Sequence, residues 1–356
     1  MAEGSNSDVY ADAIEVIANP VAARLDSFIE GEILRWSQLH PTLSEPLDSL
    51  RRFVAQGGKR LRPAFCYWAF VGTGGDPLDP TIIDAGAALE LLHSFALIHD
   101  DVMDASATRR GTDSVHVQFQ KQHDESSFRG DARRFGEGVA VLVGDMAFVY
   151  ADRFLNRAPR SALDVFTELR VELNIGQYLD ISAGARNDAT LPMAKRIAWY
   201  KSGKYTVERP MHLGAALLDR YEEFAAPFSN YGVPVGEAFQ MRDDILGAFG
   251  DAEATGKPVG DDIREGKPTA IVALARQRSN DAQIATLERY GAVDLTDDEV
   301  TELQSIMIET EARADVERAI DVLVQEGLDA LVNVKLQGEA LERLEQLAYF
   351  VAGRDN

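Results

Sequence analysis

The stretch Pro80–Asp104 reads PTIIDAGAALELLHSFALIHDDVMD and ends in three aspartates. Its apolar residues recur three and four positions apart, and Ala and Leu are plentiful, which predicts a helix. Each helical residue advances by about 100°, so Asp100 and Asp104 lie one turn apart on one face, while Asp101 sits to the side. Two carboxylates of this helix can therefore reach one metal ion.

Most of the chain has the same helical character. The other clear helical segments are Val21–Leu39, Gly138–Asn156, Arg160–Ala183, Ala194–Lys201, Tyr231–Phe249 and the stretches from Asp298 to Val351. Two longer polar stretches, Ala105–Glu137 and Gly250–Pro268, follow the aspartate-rich segments, and loops of that length are usually functional or mobile. No fixed-period repeat and no interdomain linker is evident. We therefore expect one all-α domain over residues 16–356, preceded by a frayed segment at 1–15.

Composition excludes several classes of function. The chain has 36 basic and 58 acidic residues, a net charge of −22, which argues against a nucleic-acid partner. Cys66 is the single cysteine, so a structural disulfide within the chain is excluded, as in cytoplasmic proteins. The acidic first twenty residues do not form a secretory signal. Charged residues interrupt the apolar stretch Ile82–Ile98, so we expect a soluble protein without a membrane span.

A second acidic segment, FQMRDD, occupies residues 239–244. Gln240, Asp243 and Asp244 stand at helical positions i, i+3 and i+4 and share one face, while Phe239 should point toward the core or a cavity wall. Carboxylates are hard oxygen ligands, and Mg²⁺ usually takes one or two of them while phosphate oxygens and water complete its coordination. Two such segments facing one cavity would suit a magnesium-bridged diphosphate.

Cations suited to phosphate follow or precede these segments. Arg109 and Arg110 begin five residues after the last aspartate of the first, and the motif GGKRLRP at residues 57–63 combines basic side chains with two glycines. The remaining candidates are Lys201 and Ser202 at a helix end, and Lys257 and Lys267 in a Gly-rich stretch. Each of these residues alone could be an ordinary solvated side chain. Their conjunction in an acidic protein favours a diphosphate site.

From GGKRLRP to Lys267 the chain resembles the trans-isoprenyl diphosphate synthases, the polyprenyl synthetase family, with the motifs in family order. The resemblance implies a helical bundle around a deep central active-site cavity, a homodimer, and about three Mg²⁺ ions that bridge the allylic diphosphate. It also implies chain elongation. An allylic diphosphate (dimethylallyl, geranyl or farnesyl) ionises, isopentenyl diphosphate attacks the carbocation, and the departing diphosphate accepts the proton, so we name no protein base.

The resemblance also assigns roles to individual residues. The implied metal ligands are Asp100, Asp104 and Asp243, with Asp101 and Asp244 supporting them and Lys201 completing the catalytic set. The positions that hold isopentenyl diphosphate are Lys59, Arg62, His93 and Arg110. Those that hold the allylic diphosphate are Arg109, Lys201, Ser202, Gln240, Lys257 and Lys267. His93 could instead be a hydrogen-bonded core residue. Gly247 stands where many members have a third aspartate, and Ser202 where threonine is common.

Product length is expected to depend on residues just before Asp100. Ala96 lies one turn earlier and leaves room, and Phe95 is the candidate floor, an aromatic position that resembles the archaeal-type geranylgeranyl diphosphate synthases. We therefore expect a C20 product, with farnesyl or longer-chain synthesis as alternatives. A class I terpene cyclase is a competing interpretation, but it would need no second diphosphate site such as the one that GGKRLRP at residues 57–63 indicates. A non-catalytic regulatory subunit would have lost aspartates or arginines, which this chain retains.

Overall fold

The computed structural model describes residues 6–186, 190–250 and 260–353. In the described residues, the tenth α-helix carries the second aspartate segment. The first ten are α1 Asn6–Ser37, α2 Glu45–Ala55, α3 Leu61–Gly72, α4 Pro80–Met103, α5 Val115–Glu125, α6 Ala132–Leu155, α7 Arg160–Arg186, α8 Leu191–Ile197, α9 Arg209–Ala216 and α10 Tyr221–Phe249. Six more complete the described chain: α11 Asp261–Glu265, α12 Ala270–Arg278, α13 Asp281–Leu287, α14 Asp297–Glu309, α15 Ala312–Leu331 and α16 Ala340–Ala352. The predicted all-α fold is confirmed.

Three short elements join the helices. A 3₁₀ turn spans Pro41–Ser44, and a π-helix, Ala198–Glu208, lies between α8 and α9. Strands β1 (Thr108–Arg109) and β2 (Thr112–Asp113) form a small antiparallel hairpin just after α4. In the part of the chain that the structure describes, this hairpin is the whole of the sheet structure.

Helix α4 runs through the centre of the bundle. It packs on α6, α3 and α1, and its residues are buried almost without a break from Ala85 to Leu92. A helix that is apolar all round is stable only when it is surrounded. By length and composition it could also cross a membrane, but 61% of its most apolar window is buried inside the protein. The central position of α4 carries the first aspartates to the interior.

Several helix boundaries differ from the sequence-based expectation. Helix α1 begins at Asn6 rather than near Val21, because Ala13 and Ile17 are buried and extend its apolar face across Pro20. The polar stretch at 105–137 is not one loop, since it holds the hairpin, α5 and the start of α6. Charged residues mask the short apolar face of α5, where Phe119 is 6% exposed.

The π-helix replaces the end of the helix expected at Ala194–Lys201. Its Gly203 meets Gly236 of α10 so closely that a Cβ on Gly236 would lie 2.6 Å from the Cα of Gly203. At its far end, buried Glu172 of α7 accepts hydrogen bonds from Lys204 and from Arg209, the latter at 2.7 Å from Nε to Oε2. Wide π turns are frequent at functional sites. This one directs Lys201, Ser202 and Tyr205 toward the centre of the bundle.

Candidate active site

A cavity of about 500 Å³ opens between α4, α7, the π-helix and α10. The candidate residues that line it are Lys59, Arg62, His93, Ala96, Asp100, Arg109, Arg110, Lys201, Ser202, Gln240, Asp243, Asp244 and Lys267. The two aspartate segments, far apart in sequence, thus face one space. Asp101, Asp104 and Phe95 are not part of the lining, and Lys257 lies outside the described residues. Phe239 lines the wall, as expected.

Asp100 is the centre of the first cluster. Its Oδ1 accepts hydrogen bonds from Gln177 Nε2 at 2.8 Å and from Lys201 Nζ at 3.2 Å. Burial opposes ionisation of this carboxyl, but the positive charges of Lys201, Lys267 and Arg109 outweigh it and lower the pKa of Asp100 to about 2. Asp100 is therefore ionised over the whole physiological range.

Asp101 holds an arginine beside Asp100. Its side chain is 1% exposed and accepts a hydrogen bond from Arg109 Nε at 2.9 Å, which leaves Arg109 Nη2 3.6 Å from Asp100 Oδ2. Arg109 ends β1, and the turn of the hairpin is Arg110-Gly111, with φ of 53° and 75°. Two positive φ values are typical of a two-residue hairpin turn. The hairpin therefore fixes Arg109 against the end of α4.

Asp104 caps the C-terminal end of α4. Burial, followed by the negative charge of Asp100, raises the pKa of Asp104 to about 7, against the opposing charges of Lys267 and Lys201. A carboxylate at this end also faces the negative pole of the helix. A cation near Asp104 would therefore relieve an unfavourable charge arrangement.

The second cluster shows the same strain on ionisation. Gln240 Nε2 donates to Asp244 Oδ1 at 2.6 Å, as their i, i+4 spacing predicts. Asp244 is 8% exposed, and burial, assisted by Asp262 and Asp243, raises its pKa to about 8 although the Gln240 hydrogen bond opposes the shift. Asp243 lines the cavity beside it. The carboxylates of this cluster offer oxygen atoms, the kind of ligand atom that Mg²⁺ prefers.

The basic motif GGKRLRP combines structural and cavity-lining cations. Arg60 lines the cavity too, but its guanidinium is held by protein partners: it forms a buried ion pair with Glu90 and donates to the carbonyl of Val54 at 2.8 Å. Arg110 donates to the carbonyl of Gly57, and a Cβ on Gly58 (φ 151°) would lie 2.8 Å from Arg110 Nη2. Gly57 and Gly58 thus let Arg110 of the hairpin lie against the GGKRLRP motif.

Arg62 and His93 share one aromatic partner. Arg62 lies over the ring of Tyr205 at 4.0 Å and donates to Thr206 Oγ1 at 2.9 Å, while its buried Nε has no hydrogen-bond partner. His93 Nδ1 is 3.0 Å from the hydroxyl of Tyr205. Burial, followed by the charge of Arg62, holds the pKa of His93 well below its usual value. His93 is therefore a neutral, hydrogen-bonded residue that also lines the cavity.

Helix α7 contributes two polar residues that the sequence reasoning missed, Gln177 and Asp180. Asp180 Oδ2 accepts from Lys201 Nζ at 2.5 Å, so Lys201 is held between α7 and α4. Gly176 makes this possible, since a Cβ there would lie 2.4 Å from the backbone nitrogen of Lys201. The i, i+3 spacing of the two polar residues after a glycine was the available signal.

Lys267 is held by a third acidic element that was also missed. Its Nζ lies 2.9 Å from Asp262 Oδ1 and 2.6 Å from Glu265 Oε2, both on the short helix α11. Burial opposes the charge of Lys267, but these carboxylates and Asp100 raise its pKa well above the usual value. The lysine is thus a permanent cation at the cavity, near both aspartate clusters.

An all-α bundle in which two acidic helical segments and a set of fixed cations line one cavity defines a class of protein, the helical enzymes that act on prenyl diphosphates. The sequence profile of polyprenyl synthetases matches residues 41–307, and the chain belongs to that family. As the family and its relatives establish, it is a trans-prenyltransferase, a prenyl diphosphate synthase.

Three relatives illustrate the range of similarity. The geranylgeranyl diphosphate synthase of Saccharolobus solfataricus is 30% identical over 96% of this chain and 93% of its own. The geranylfarnesyl diphosphate synthase of Aeropyrum pernix is 30% identical over 76% of this chain and 84% of its own. The geranylgeranyl pyrophosphate synthase of Corynebacterium glutamicum, solved with isoprenyl diphosphate and magnesium, superposes with a TM-score of 0.91 at 33% identity, covering 95% of this chain and 99% of its own.

Proposed function

We propose that this synthase condenses isopentenyl diphosphate with dimethylallyl, geranyl and farnesyl diphosphates and releases geranylgeranyl diphosphate, a C20 product. The observation that carries the proposal is the shared cavity, in which both aspartate clusters and the fixed cations meet. The names of the Saccharolobus and Corynebacterium relatives support the C20 product. The Aeropyrum relative, a geranylfarnesyl diphosphate synthase, keeps a longer product as the alternative to be tested.

Magnesium fits this site, and Asp100, Asp104 and Asp243 would be its ligands. The donors are carboxylate oxygens, and two carboxyls, Asp104 and Asp244, have pKa values of about 7 and 8 that an adjacent cation would lower. Among the described residues, no group of three His, Cys, Asp or Glu side chains already surrounds one point. Phosphate oxygens and water would therefore complete the coordination of each of the three Mg²⁺ ions that we propose.

The polar and charged residues of the site divide into two groups around the two substrates. Arg109, Lys201, Ser202, Gln240, Lys257 and Lys267 would hold the allylic diphosphate. Lys59, Arg62, His93 and Arg110 would hold isopentenyl diphosphate. When bound, Mg²⁺ adds positive charge where the leaving diphosphate becomes more negative. Lys201 and Arg109 add to that stabilisation with no reorganisation, since their carboxylate partners already fix them.

The wall beneath the aspartates keeps water from the allylic cation. Apolar side chains of four elements form this wall: Leu97, Leu173, Ile197, Phe239 and Leu246. Ala96 lies in the lining, and its small side chain leaves room for the growing chain. Phe95 packs instead against Phe148 of α6, with ring centroids 4.8 Å apart, so its proposed role as the floor would act through the α4–α6 contact. The departing diphosphate would accept the proton.

The proposed homodimer rests on an apolar face of α6 and α7. Leu142 and Val149 of α6 are 59% and 61% exposed, and Ile175 and Tyr178 of α7 are 46% and 65% exposed. Their spacing of three and seven residues places the side chains of each helix on one face. Such patches mark interaction sites, and a second copy of the chain is the occupant that we propose, in the cytoplasm.

The decisive assay incubates the purified protein with Mg²⁺, isopentenyl diphosphate and, separately, the C5, C10 and C15 allylic diphosphates. We expect a C20 product from each starter, resolved by chromatography after dephosphorylation. Asp100→Ala or Asp243→Ala should lower turnover by about 100-fold or more without loss of helicity. Absence of elongation with every starter would refute the assignment, and a C25 or C15 product would correct the length.

The dimer is tested by light scattering during gel filtration. Val149→Asp should shift the protein toward the monomer, because a buried charge at an apolar interface is unpaired. Val293→Asp is the control. Val293 is a fully exposed apolar residue in the segment between α13 and α14, outside this face. A monomeric wild type, or equal behaviour of the two variants, would contradict the proposed interface.

A further inference from the structure

Gly247 breaks the second aspartate motif, because it leaves no side chain one turn after Asp243. The space is nevertheless filled. A Cβ built on Gly247 would lie 1.9 Å from Oδ2 of Asp262 and 2.3 Å from its Cγ. The carboxylate that occupies this place therefore comes from α11 rather than from α10.

Asp262 is held there by its surroundings. It is 9% exposed, and the neighbouring Ile263 is fully buried. The carbonyl of Ile263 accepts a hydrogen bond from the backbone of Gly291 at 3.0 Å, and the hydroxyl of Tyr290 donates to the carbonyl of Lys267 at 2.6 Å. These contacts fix the middle of the short helix and the residues just after it, so the direction of the Asp262 side chain follows from the packing of the chain.

The two glycines that flank α11 allow this return of the chain. Gly260 and Gly266 have φ of 71° and 70°, the left-handed region in which other residues are strained. Gly266 lies against Gly291 closely enough that a Cβ on Gly266 would be 3.0 Å from the Cα of Gly291. The two glycines thus allow the backbone turns that bring Asp262 to the cavity.

We propose that Asp262 supplies the third carboxylate of the second aspartate cluster, at the place that a side chain at residue 247 would fill. The inference rests on the proposed magnesium-dependent function. Asp262 lines the same cavity as Asp243 and Asp244, and its other oxygen pairs with Lys267 at 2.9 Å. One carboxylate thereby serves both the metal side and the cationic side of the diphosphate site, and Asp262 is a positioning residue of that site.

The competing interpretation is that Asp262 acts only by holding Lys267. A double-mutant comparison separates the two, because the effect of Asp262→Asn is measured with Lys267 present and with Lys267→Met. If Asp262 acts only through the lysine, it has no further effect in the Lys267→Met protein. If it belongs to the metal side, its effect persists there.

The experiment measures the Mg²⁺ concentration that half-saturates binding of farnesyl thiodiphosphate, a non-ionising analogue, by calorimetry. We expect Asp262→Asn and Asp262→Ala to raise this concentration about tenfold or more, as loss of an outer ligand of a metal site does. Adding Gly247→Asp to Asp262→Ala should return it to within about threefold of the wild type. The near-isosteric Asp262→Asn serves if the alanine variant does not fold.

Three results would overturn the proposal: an unchanged Mg²⁺ requirement in Asp262→Asn, no recovery in the folded Gly247→Asp, Asp262→Ala double variant, or no effect of Asp262→Asn in the Lys267→Met protein. A wild-type protein that binds the analogue without any Mg²⁺ dependence would instead refute the magnesium-dependent function on which the proposal rests. The two failures are therefore distinguishable.

Discussion

The pKa of Asp104 makes a testable link between pH, stability and metal binding. Without metal, the folded protein retains a proton on Asp104 up to about pH 7, whereas an unfolded chain loses it near 3.8, the ordinary pKa of an aspartate. The folded state therefore binds more protons in this window, and stability falls as pH rises through it. Asp104→Asn keeps the shape of the side chain and removes the titration.

The expected size of the effect follows from the width of the window. Between pH 5 and pH 7 the wild type should lose about 2 kcal/mol of unfolding free energy relative to Asp104→Asn. The comparison with the variant matters because the buried His93 and His212 have lowered pKa values, and their neutral forms give a slope of the opposite sign below about pH 6.5. That contribution cancels in the difference.

Urea unfolding in EDTA, followed by circular dichroism at one fixed protein concentration, measures this difference. In the presence of pyrophosphate, the apparent Mg²⁺ affinity of the wild type should rise about tenfold from pH 6 to pH 8, because Asp104, a proposed metal ligand, must lose its proton to bind the ion. This rise should be smaller in Asp104→Asn. A stability difference that stays constant with pH, or that grows in favour of the wild type, would refute the reasoning.

Three further substitutions test the cavity and the core. Ala96→Phe should shorten the product by one or more isoprene units, as seen by chromatography, because the ring fills space that lines the cavity and each excluded unit forfeits about 4 kcal/mol of apolar burial. Arg60→Ala should lower the unfolding free energy by about 3–5 kcal/mol because it leaves a buried carboxylate unpaired, whereas Arg24→Ala, in an exposed pair, should cost less than about 1 kcal/mol. Gly144→Ala places a Cβ 2.3 Å from the ring of His99 and should cost about 1–3 kcal/mol in the same assay, whereas Gly31→Ala, in open space on α1, should be neutral or stabilising.

The parts of the site that depend on local helix geometry could be predicted from the sequence. Gln240 and Asp244 are four residues apart, and their side chains do meet. The end of α4 could be located because Asp100 follows a long apolar stretch. In both places the relevant distance is set by the helix repeat alone.

The parts that depend on how distant segments pack could not be predicted. Asp180 reaches Lys201 only because Gly176 lets the π-helix approach α7, and neither the glycine contact nor the π turn has a periodic signal. The burial of Asp101 under Arg109 likewise requires the hairpin to fold back on α4. The same limit applies to Gly247, which the sequence presents as a missing carboxylate and the structure pairs with Asp262.

These pairings share a physical logic. Lys201 lies between Asp100 and Asp180, Arg109 beside Asp101, and Lys267 beside Asp262, so these three cations of the cavity are already matched by carboxylates. Burying any of these charges alone would cost several kcal/mol, so the acidic residues are what allow the cations to be fixed at all. In the proposed function, the carboxylates would gain a metal and these cations would gain phosphate oxygens when a magnesium diphosphate binds, so each of these buried charges would exchange one partner for another. The surplus of acidic residues at the cavity thus prepares the site for its substrate rather than repelling it.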